Sequence, residues 1–259
     1  MKDKILLFIP AYNCEKQIVR VLGRISGTLL KFIDEIIVVN NQSTDGTEEA
    51  VRKYSEEHSQ LPLKILRNIE NYGLGGSHKV AFKYAKENGF DYVIVLHGDD
   101  QGNLNDFLPV LTGKYYKKHD CILGARFMPA SKLVGYSKFR TFGNIVYNFL
   151  FAAVIRQRVY DLGSGLNMYS TKMLERNFYE KFPDNLMFNY LMVLASEYYG
   201  IDMKFYPISW REDDQVSNVK MMNQATKVLS MLWDYYKDPN TITGEYRDIR
   251  RDNYEAEIV

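Results

Sequence analysis

Residues 92–101 read YVIVLHGDDQ, an unbroken apolar and aromatic run that ends in a histidine, a glycine and two adjacent carboxylates. A run this short, with no polar alternation, marks a strand buried on both faces. The carboxylates behind it are costly to place unless a cation or a hydrogen-bonded task holds them there. Runs of the same kind stand at 5–9, 36–39, 63–66 and 121–123, and helical spacing fills the intervals at 14–28, 47–57, 75–88 and 104–118. Strand and helix in alternation predict an α/β fold on a doubly wound, mostly parallel sheet. Beyond residue 125 the pattern loosens into helices at 139–158, 171–179, 186–199 and 216–236, with short strands at 166–169 and 204–208. No repeat or low-complexity linker divides the chain. Residues 1–236 are read as one domain and 237–259 as a polar tail, with poor order expected from 241 onward.

The 259 residues carry 33 Lys and Arg against 32 Asp and Glu, a net charge of +1, and 46% of them are hydrophobic. That balance supplies an ample core and no global field, which argues against a nucleic-acid partner and against electrostatic recruitment to an anionic membrane. Cys14 and Cys121 form no CxxC pair and read as small core residues in a reducing compartment. The N-terminal MKDKILLFIPAYN has too short an apolar run for a signal peptide, so a cytoplasmic setting is expected. No stretch reaches the roughly 18 apolar residues of a membrane span. The nearest, FGNIVYNFLFAAVI at 142–155 between Arg140 and Arg156, is a greasy helix, read as buried or interfacial. The interfacial reading adds a peripheral contact with the inner face of the membrane.

In open α/β sheets ligands bind beyond the carboxyl ends of the strands. Four successive turns there are unusually polar: Pro10-Ala11-Tyr12-Asn13, Asn40 to Gly46, Asn68 to Gly76, and His97 to Gln101. Each alone is ordinary turn chemistry, but four on one edge predict a cleft the size of a nucleotide. Asn41 reads either as an amide that meets the edge of a base, beside the flat face of Tyr12, or as an Asx turn. Asn71, Gly73, Gly75 and Gly76 open a helix whose bare backbone and amino end suit a phosphate. Lys79, one turn further, meets a diphosphate or only solvent. Asp99 is the first candidate ligand for a divalent cation, Mg2+ or Mn2+, which one or two carboxylates hold together with substrate phosphates. Asp100 shares that ion, orients a sugar or caps the helix expected from Asn103. His97 is a soft partner for Mn2+ through neutral imidazole, or a hydrogen-bonding neighbour of the site.

Taken together these segments resemble the family 2 glycosyltransferases of the GT-A fold. The matching stretches are IPAYN at 9–13, VVNNQSTDGT at 38–47, NYGLGGSHKVA at 71–81, LHGDDQ at 96–101, GARF at 124–127, DLGSGLNMYS at 161–170 and WREDDQVSNVK at 210–220. The likeness runs toward the branch that acts on polyprenyl and dolichyl phosphates. It implies an inverting transfer from a UDP- or GDP-linked sugar, with residues 1–125 as the donor half and 126–236 as the acceptor half. It also implies donor contacts from Pro10, Ala11, Tyr12, Asn13, Asn41, Asn71, Gly73, Lys79, Gly98 and Asp99. Asp99 and His97 are the implied metal ligands, and Asp99, Asp100 and Arg211 the implied catalytic set. The chain departs from the family pattern in three places. Asn40 and Asn41 replace a usual aspartate pair, His97-Gly98-Asp99 replaces Asp-x-Asp, and Asn185-Leu186-Met187-Phe188-Asn189 stands where relatives with hydroxyl acceptors carry an acidic base.

A sugar hydroxyl needs a positioned general base, whereas a phosphate monoester is already an anion near neutrality. The missing acid at 185–189 therefore favours a lipid-linked phosphate acceptor over a hydroxyl of a growing cell-surface glycan. Arg126, Lys138, Arg140, Arg211 and Lys220 are the cations available to hold that phosphate, and Ser164 joins them as an acceptor contact. Asp161, Glu197, Glu212, Asp213 and Asp214 are the carboxylates that stand as alternative bases. Nucleotidyl transfer is disfavoured because IPAYNCEKQ, at 9–17, holds neither glycine nor arginine. Dinucleotide oxidation is disfavoured because GLGGSH is not GxGxxG and follows the third strand. A binding module without catalysis is the non-enzymatic alternative, on the strength of His97.

Overall fold

The structure, a computed structural model of the chain, describes residues 2–212 and 221–259. In chain order the first half comprises β1 (Ile5–Ala11), α1 (Glu15–Gly23), β2 (Glu35–Asn40), α2 (Thr47–Glu57), β3 (Leu63–Asn68), α3 (Gly73–Glu87), β4 (Tyr92–Leu96), α4 (Leu108–Thr112) and β5 (Cys121–Ala125). The second half continues with β6 (Lys132–Val134), α5 (Lys138–Ile155), β7 (Leu166–Ser170), α6 (Thr171–Leu174), α7 (Phe188–Tyr198), β8 (Met203–Pro207), β9 (Ser209–Arg211), α8 (Met221–Lys237) and β10 (Ala256–Ile258).

The central sheet runs β10-β3-β2-β1-β4-β7-β5-β8, and β6 pairs with β9 in a small second sheet. From β3 through β2 and β1 to β4 every pairing is parallel. Alternate residues of the same strands feed two separate cores. Leu6, Phe8, Ile37, Val39, Val93 and Val95 face α3, α5, α7 and α8, while Ile5, Leu7, Ile9, Ile36, Val38 and Ile94 face α1, α2 and α4. Burial on both faces is why these strands read as continuous apolar runs rather than alternating ones.

The structure differs from the sequence expectations where local geometry breaks a periodic pattern. The helix expected over 14–28 stops at Gly23, and Gly27 takes a φ of +57°. The helix expected over 104–118 is broken by Pro109 near the start of α4 and by left-handed Lys114. The one expected over 171–179 keeps only the turn of α6. β7 enters antiparallel between β4 and β5, because the chain leaves the sheet through β6 and α5 before returning. The helix read as buried or interfacial is both. α5 turns Asn148, Phe151 and Ile155 inward and leaves Phe139, Phe142, Ile145 and Phe149 at least half exposed.

The tail overturns the expectation of poor order. β10 adds an antiparallel edge to β3, with Ala256 opposite Asn68 and Ile258 opposite Leu66. Arg251 pairs with Glu70 at 2.9 Å and with Asp184 at 2.9 Å. The polar composition of the tail gave no sign of this, because backbone groups make the edge pairing and leave the side chains free to be polar. A chain ended at residue 246 is expected to expose the unpaired edge of β3, lowering the thermal midpoint and raising light scattering on heating.

Candidate active site

The four polar turns meet at one end of the parallel strands. The Gly98 amide donates to the Pro10 carbonyl at 3.1 Å, and the Asn41 amide to the Ala11 carbonyl at 2.9 Å. A side chain at position 98 would come within 3.0 Å of the Pro10 oxygen and 3.1 Å of Ile18, so the turn needs glycine to close on β1. Asn13 takes a left-handed φ of +49°, and its side-chain oxygen accepts from the Thr44 amide at 2.8 Å. Tyr12 projects from this wall with half its surface exposed.

Asp99 and His97 stand at the centre of the cleft. Their Oδ2 and Nδ1 atoms lie 4.0 Å apart, and the other Asp99 oxygen accepts from the Gln101 amide at 3.2 Å. Burial pushes the Asp99 carboxyl up to about 6, and the Asp100 charge adds to the shift. Burial also holds His97 down at about 4, so the ring is neutral and has a lone pair to offer. Among the described residues no three His, Cys, Asp or Glu side chains close around one point. A half-buried carboxylate beside a neutral imidazole nevertheless suits Mg2+ or Mn2+, ions that one or two protein groups hold together with substrate phosphates.

Asp100 faces the other way. Its side chain is buried, its φ is +61°, and it is met by Arg20 at 2.6 Å, by Arg24 at 2.6 Å and by Arg211. The Arg211 Nε also donates to the Asp100 carbonyl at 2.9 Å. The helical cap expected of Asp100 is supplied by Asn103 itself, whose side chain accepts from the Asn105 amide. Sequence reasoning missed Arg20 and Arg24. Their spacing of four residues on the first helix is the signal that places them on one face.

Several expected ligand contacts are corrected. The amino end of α3 is already capped, because the Gly75 and Gly76 amides donate to the Asp184 carbonyl at 2.7 and 3.4 Å. Gly73 and Gly75 are glycines because the Pro183–Asp184 backbone passes where a Cβ would stand, rather than to cradle a phosphate. Lys79 is buried behind that loop, donating to Phe182 O at 2.6 Å, Asp184 at 2.7 Å and Tyr254 at 3.1 Å, so it meets neither diphosphate nor solvent. The Asn41 amide is neither a base reader nor an Asx turn. It donates to Asn71 at 2.8 Å and accepts from Asn68 at 2.9 Å and the Tyr72 amide at 2.8 Å, stitching β2 to the start of α3. Asn71 is held in the same network, where its oxygen also accepts from the Gly73 amide at 3.0 Å.

On the acceptor side, Arg126 is buried against Asp161 in a bidentate pair of 2.7 and 2.8 Å, with the Trp210 ring 5.0 Å away. It is a structural cation, and Asp161 with it is no base. Ser164 is buried and bonds to Leu166 O and Asn167 at 3.3 Å, away from any surface an acceptor would reach. Glu197 accepts from the Tyr235 hydroxyl at the far end of α7. Glu212 pairs with Arg140 at 2.5 Å, and Arg140 stacks over Tyr136 at 4.8 Å. Asp213, Asp214 and Lys220 lie outside the described residues. Of the remaining expected cations, Lys138 is exposed at the start of α5, and Arg140 and Arg211, each partly exposed, lie beside the 97–101 turn through Glu212 and Asp100.

The folded value of Asp99 lies above its ordinary 3.8, so stability is lost as pH climbs toward 6 and is not regained above it. Asp99→Asn is expected to stabilise the cation-free protein at pH 7.5 by about 1–3 kcal/mol and to leave it unchanged near pH 3.5. Urea unfolding at the two pH values reads the difference.

The model of the family described as Glycosyl transferase family 2 matches residues 7–178, more than half of the chain. The undecaprenyl-phosphate mannosyltransferase of Micrococcus luteus is 27% identical over 134 residues, covering 51% of this chain and 52% of that protein. The UDP-N-acetylglucosamine–dolichyl-phosphate N-acetylglucosaminyltransferase of Methanococcus voltae is 26% identical over 186 residues, 68% of this chain and 73% of the relative. Glucosyl-3-phosphoglycerate synthase from Mycobacterium tuberculosis, solved with UDP, superposes at a TM-score of 0.62 with 16% identity, over 99% of this chain and 87% of that one. The same enzyme has been solved with Mn2+, UDP and glucosyl-3-phosphoglycerate. This last likeness is one of fold, the GT-A architecture. Polar turns gathered at one end of the parallel strands and a family match that spans them make the chain a glycosyltransferase with a nucleotide-sugar donor: it belongs to glycosyl transferase family 2.

Proposed function

We propose that the chain transfers a sugar from a nucleotide diphospho-sugar to the phosphate of a polyprenyl-phosphate-type lipid, with inversion at the anomeric carbon. The observation that supports this reading is the engagement of the three candidate bases among the described residues, Asp213 and Asp214 lying outside them. Asp161 is locked to Arg126, Glu212 is paired with Arg140, and Glu197 serves Tyr235. A phosphate oxygen needs no side chain to remove a proton, so a single in-line displacement of the nucleoside diphosphate suffices. The two lipid-phosphate relatives support the same acceptor class.

In this reading the wall formed by Pro10, Ala11, Tyr12 and Asn13 receives the nucleoside, with the Tyr12 ring as its flat face. Asp99 and His97 would hold Mg2+ or Mn2+, and the bound cation would supply neutralisation of charge on the departing diphosphate. Asp100 touches no substrate and positions Arg211 through their ion pair. The acceptor phosphate replaces Glu212 as the partner of Arg140, with Arg211 beside it.

The exposed phenylalanines of α5 support a peripheral membrane contact, since Arg140 lies on the same helix between Phe139 and Phe142. Leu229, Trp233 and Tyr236 extend the apolar surface onto the neighbouring α8. Among the described residues no helix is long and apolar enough to cross a membrane. A lipid whose tail rests on these rings delivers its phosphate to the cleft edge.

Turnover with a short-chain polyprenyl phosphate, compared with a panel of sugar acceptors, tests the acceptor. Arg140→Ala is expected to raise the acceptor KM by about tenfold while leaving the donor KM unchanged, since one charge-assisted hydrogen bond is removed. Transfer only to sugar hydroxyls would overturn the reading. Co-sedimentation with neutral phosphatidylcholine vesicles tests the surface. The double variant Phe142→Ser, Phe149→Ser is expected to bind at least about tenfold more weakly, with little dependence on salt, because the attraction is apolar.

A further inference from the structure

His78 lies on α3 in a wholly apolar setting, with the Phe8, Phe82 and Phe188 rings 5.3, 5.7 and 5.1 Å away. A phenylalanine or leucine would be the ordinary occupant of such a site. The imidazole has one satisfied nitrogen, Nδ1, 2.8 Å from the Leu74 carbonyl. A carbonyl only accepts, so Nδ1 carries the proton and Nε2 keeps a lone pair. That Nε2 is buried and has no partner among the described residues.

The neighbouring ring with the same defect is His97. The centroids stand 6.4 Å apart with the rings edge to face, and the His97 Nε2 is likewise buried and unpartnered. The opposite nitrogen of His97, Nδ1, is the one that lies 4.0 Å from the Asp99 carboxylate. The His97 ring is laid flat by Gly165, where any Cβ would fall 2.6 Å from its Cγ and 2.8 Å from its Nδ1. Two orphan nitrogens on adjacent rings, one a fixed acceptor, complete each other if the second is a donor.

We propose that His78 is a positioning residue for the cation half-site: it accepts the Nε2–H of His97, directly or through one water, and so leaves the His97 Nδ1 lone pair turned toward Asp99. The inference rests on the cation reading of Asp99 and His97 given above, and assigns His78 the task of choosing the tautomer that can ligate. Metal-bound histidines are commonly oriented in this way by whatever accepts their second N–H. Here the acceptor is another imidazole, drawn from α3, a helix that supplies neither of the two candidate ligands.

Long-range nitrogen–proton NMR of the cation-free protein reads both tautomers without any turnover. The expected result is Nδ1–H for His78 and Nε2–H for His97; an Nδ1–H tautomer at His97 overturns the proposal. Titration of Mn2+ in the presence of UDP, followed by the electron paramagnetic resonance of the free ion, supplies the second measurement. His78→Phe is expected to weaken Mn2+ binding by about 10- to 100-fold, and His78→Gln, whose amide oxygen can still accept, to recover most of it. In a His97→Asp background, His78→Phe should change Mn2+ affinity by less than about twofold, because no imidazole is left to orient. Equal affinity in wild type and His78→Phe overturns the proposal. Should His78→Phe fail to fold, the wild-type tautomers and the glutamine variant still decide. Asp99→Asn separates the two levels. Unchanged Mn2+ binding there brings down the cation reading itself, whereas lost binding there with intact binding in His78→Phe removes only the role of His78.

Discussion

The side chain of Asp100 ties the turn after β4 to the first helix and to β9 by charge, across the same core their apolar side chains share. Arg20 and Arg24 reach it from α1 and the residue that ends it, and Arg211 reaches it from β9. A buried carboxylate among three guanidinium groups is a strongly coupled cluster, and removing its centre leaves like charges facing one another. The left-handed backbone of Asp100 is what turns the chain so that Asp99 looks into the cleft while Asp100 looks out of it. The position of Arg211 passes onward to its neighbour Glu212, and from Glu212 to Arg140 on α5. One side chain thus links the turn after β4, through Arg211 and Glu212, to α5.

A second constraint concerns where negative charge can be met. Helix amino ends are ready anion sites, and α3 opens with three glycines at the right edge of the sheet. Its amides are nevertheless spent on the Asp184 carbonyl. What the strand ends have instead is a carboxylate with a raised pKa beside a neutral imidazole, so burial there works against uncompensated negative charge. The same reasoning separates the arginines. Arg126 is consumed by Asp161 in the interior, while Arg140 and Arg211 pair with Glu212 and Asp100 and remain partly exposed.

The sequence makes the parallel half legible because burial on both faces writes itself as unbroken apolar runs, and the ends of β4 and α2 fall at the expected residues. It makes the location of the cleft legible for the same reason, since polar turns must follow those runs. It does not show what each polar group in the turns is bonded to. Asn41, Lys79 and Gly75 have the residue types of a ligand site, yet they are bound by Asn68, Tyr254 and the 183–184 backbone, partners 27 to 175 positions away or beyond any local pattern. The antiparallel entry of β7 is hidden likewise, because a five-residue buried strand reads the same in either direction.

β10 joins the last residues of the chain to Leu66, Arg67 and Asn68 of β3, and Tyr254 and Arg251 bind the loop whose carbonyl caps α3. Every one of these contacts spans a large part of the sequence, so none can form until residues 251–258 have emerged from the ribosome. During translation the edge of β3 stays open and the 182–184 loop is untethered, and the nascent chain presents an unfinished sheet to its surroundings. Closing of the β3 edge and tethering of the 182–184 loop are thereby among the later long-range steps in folding of these residues.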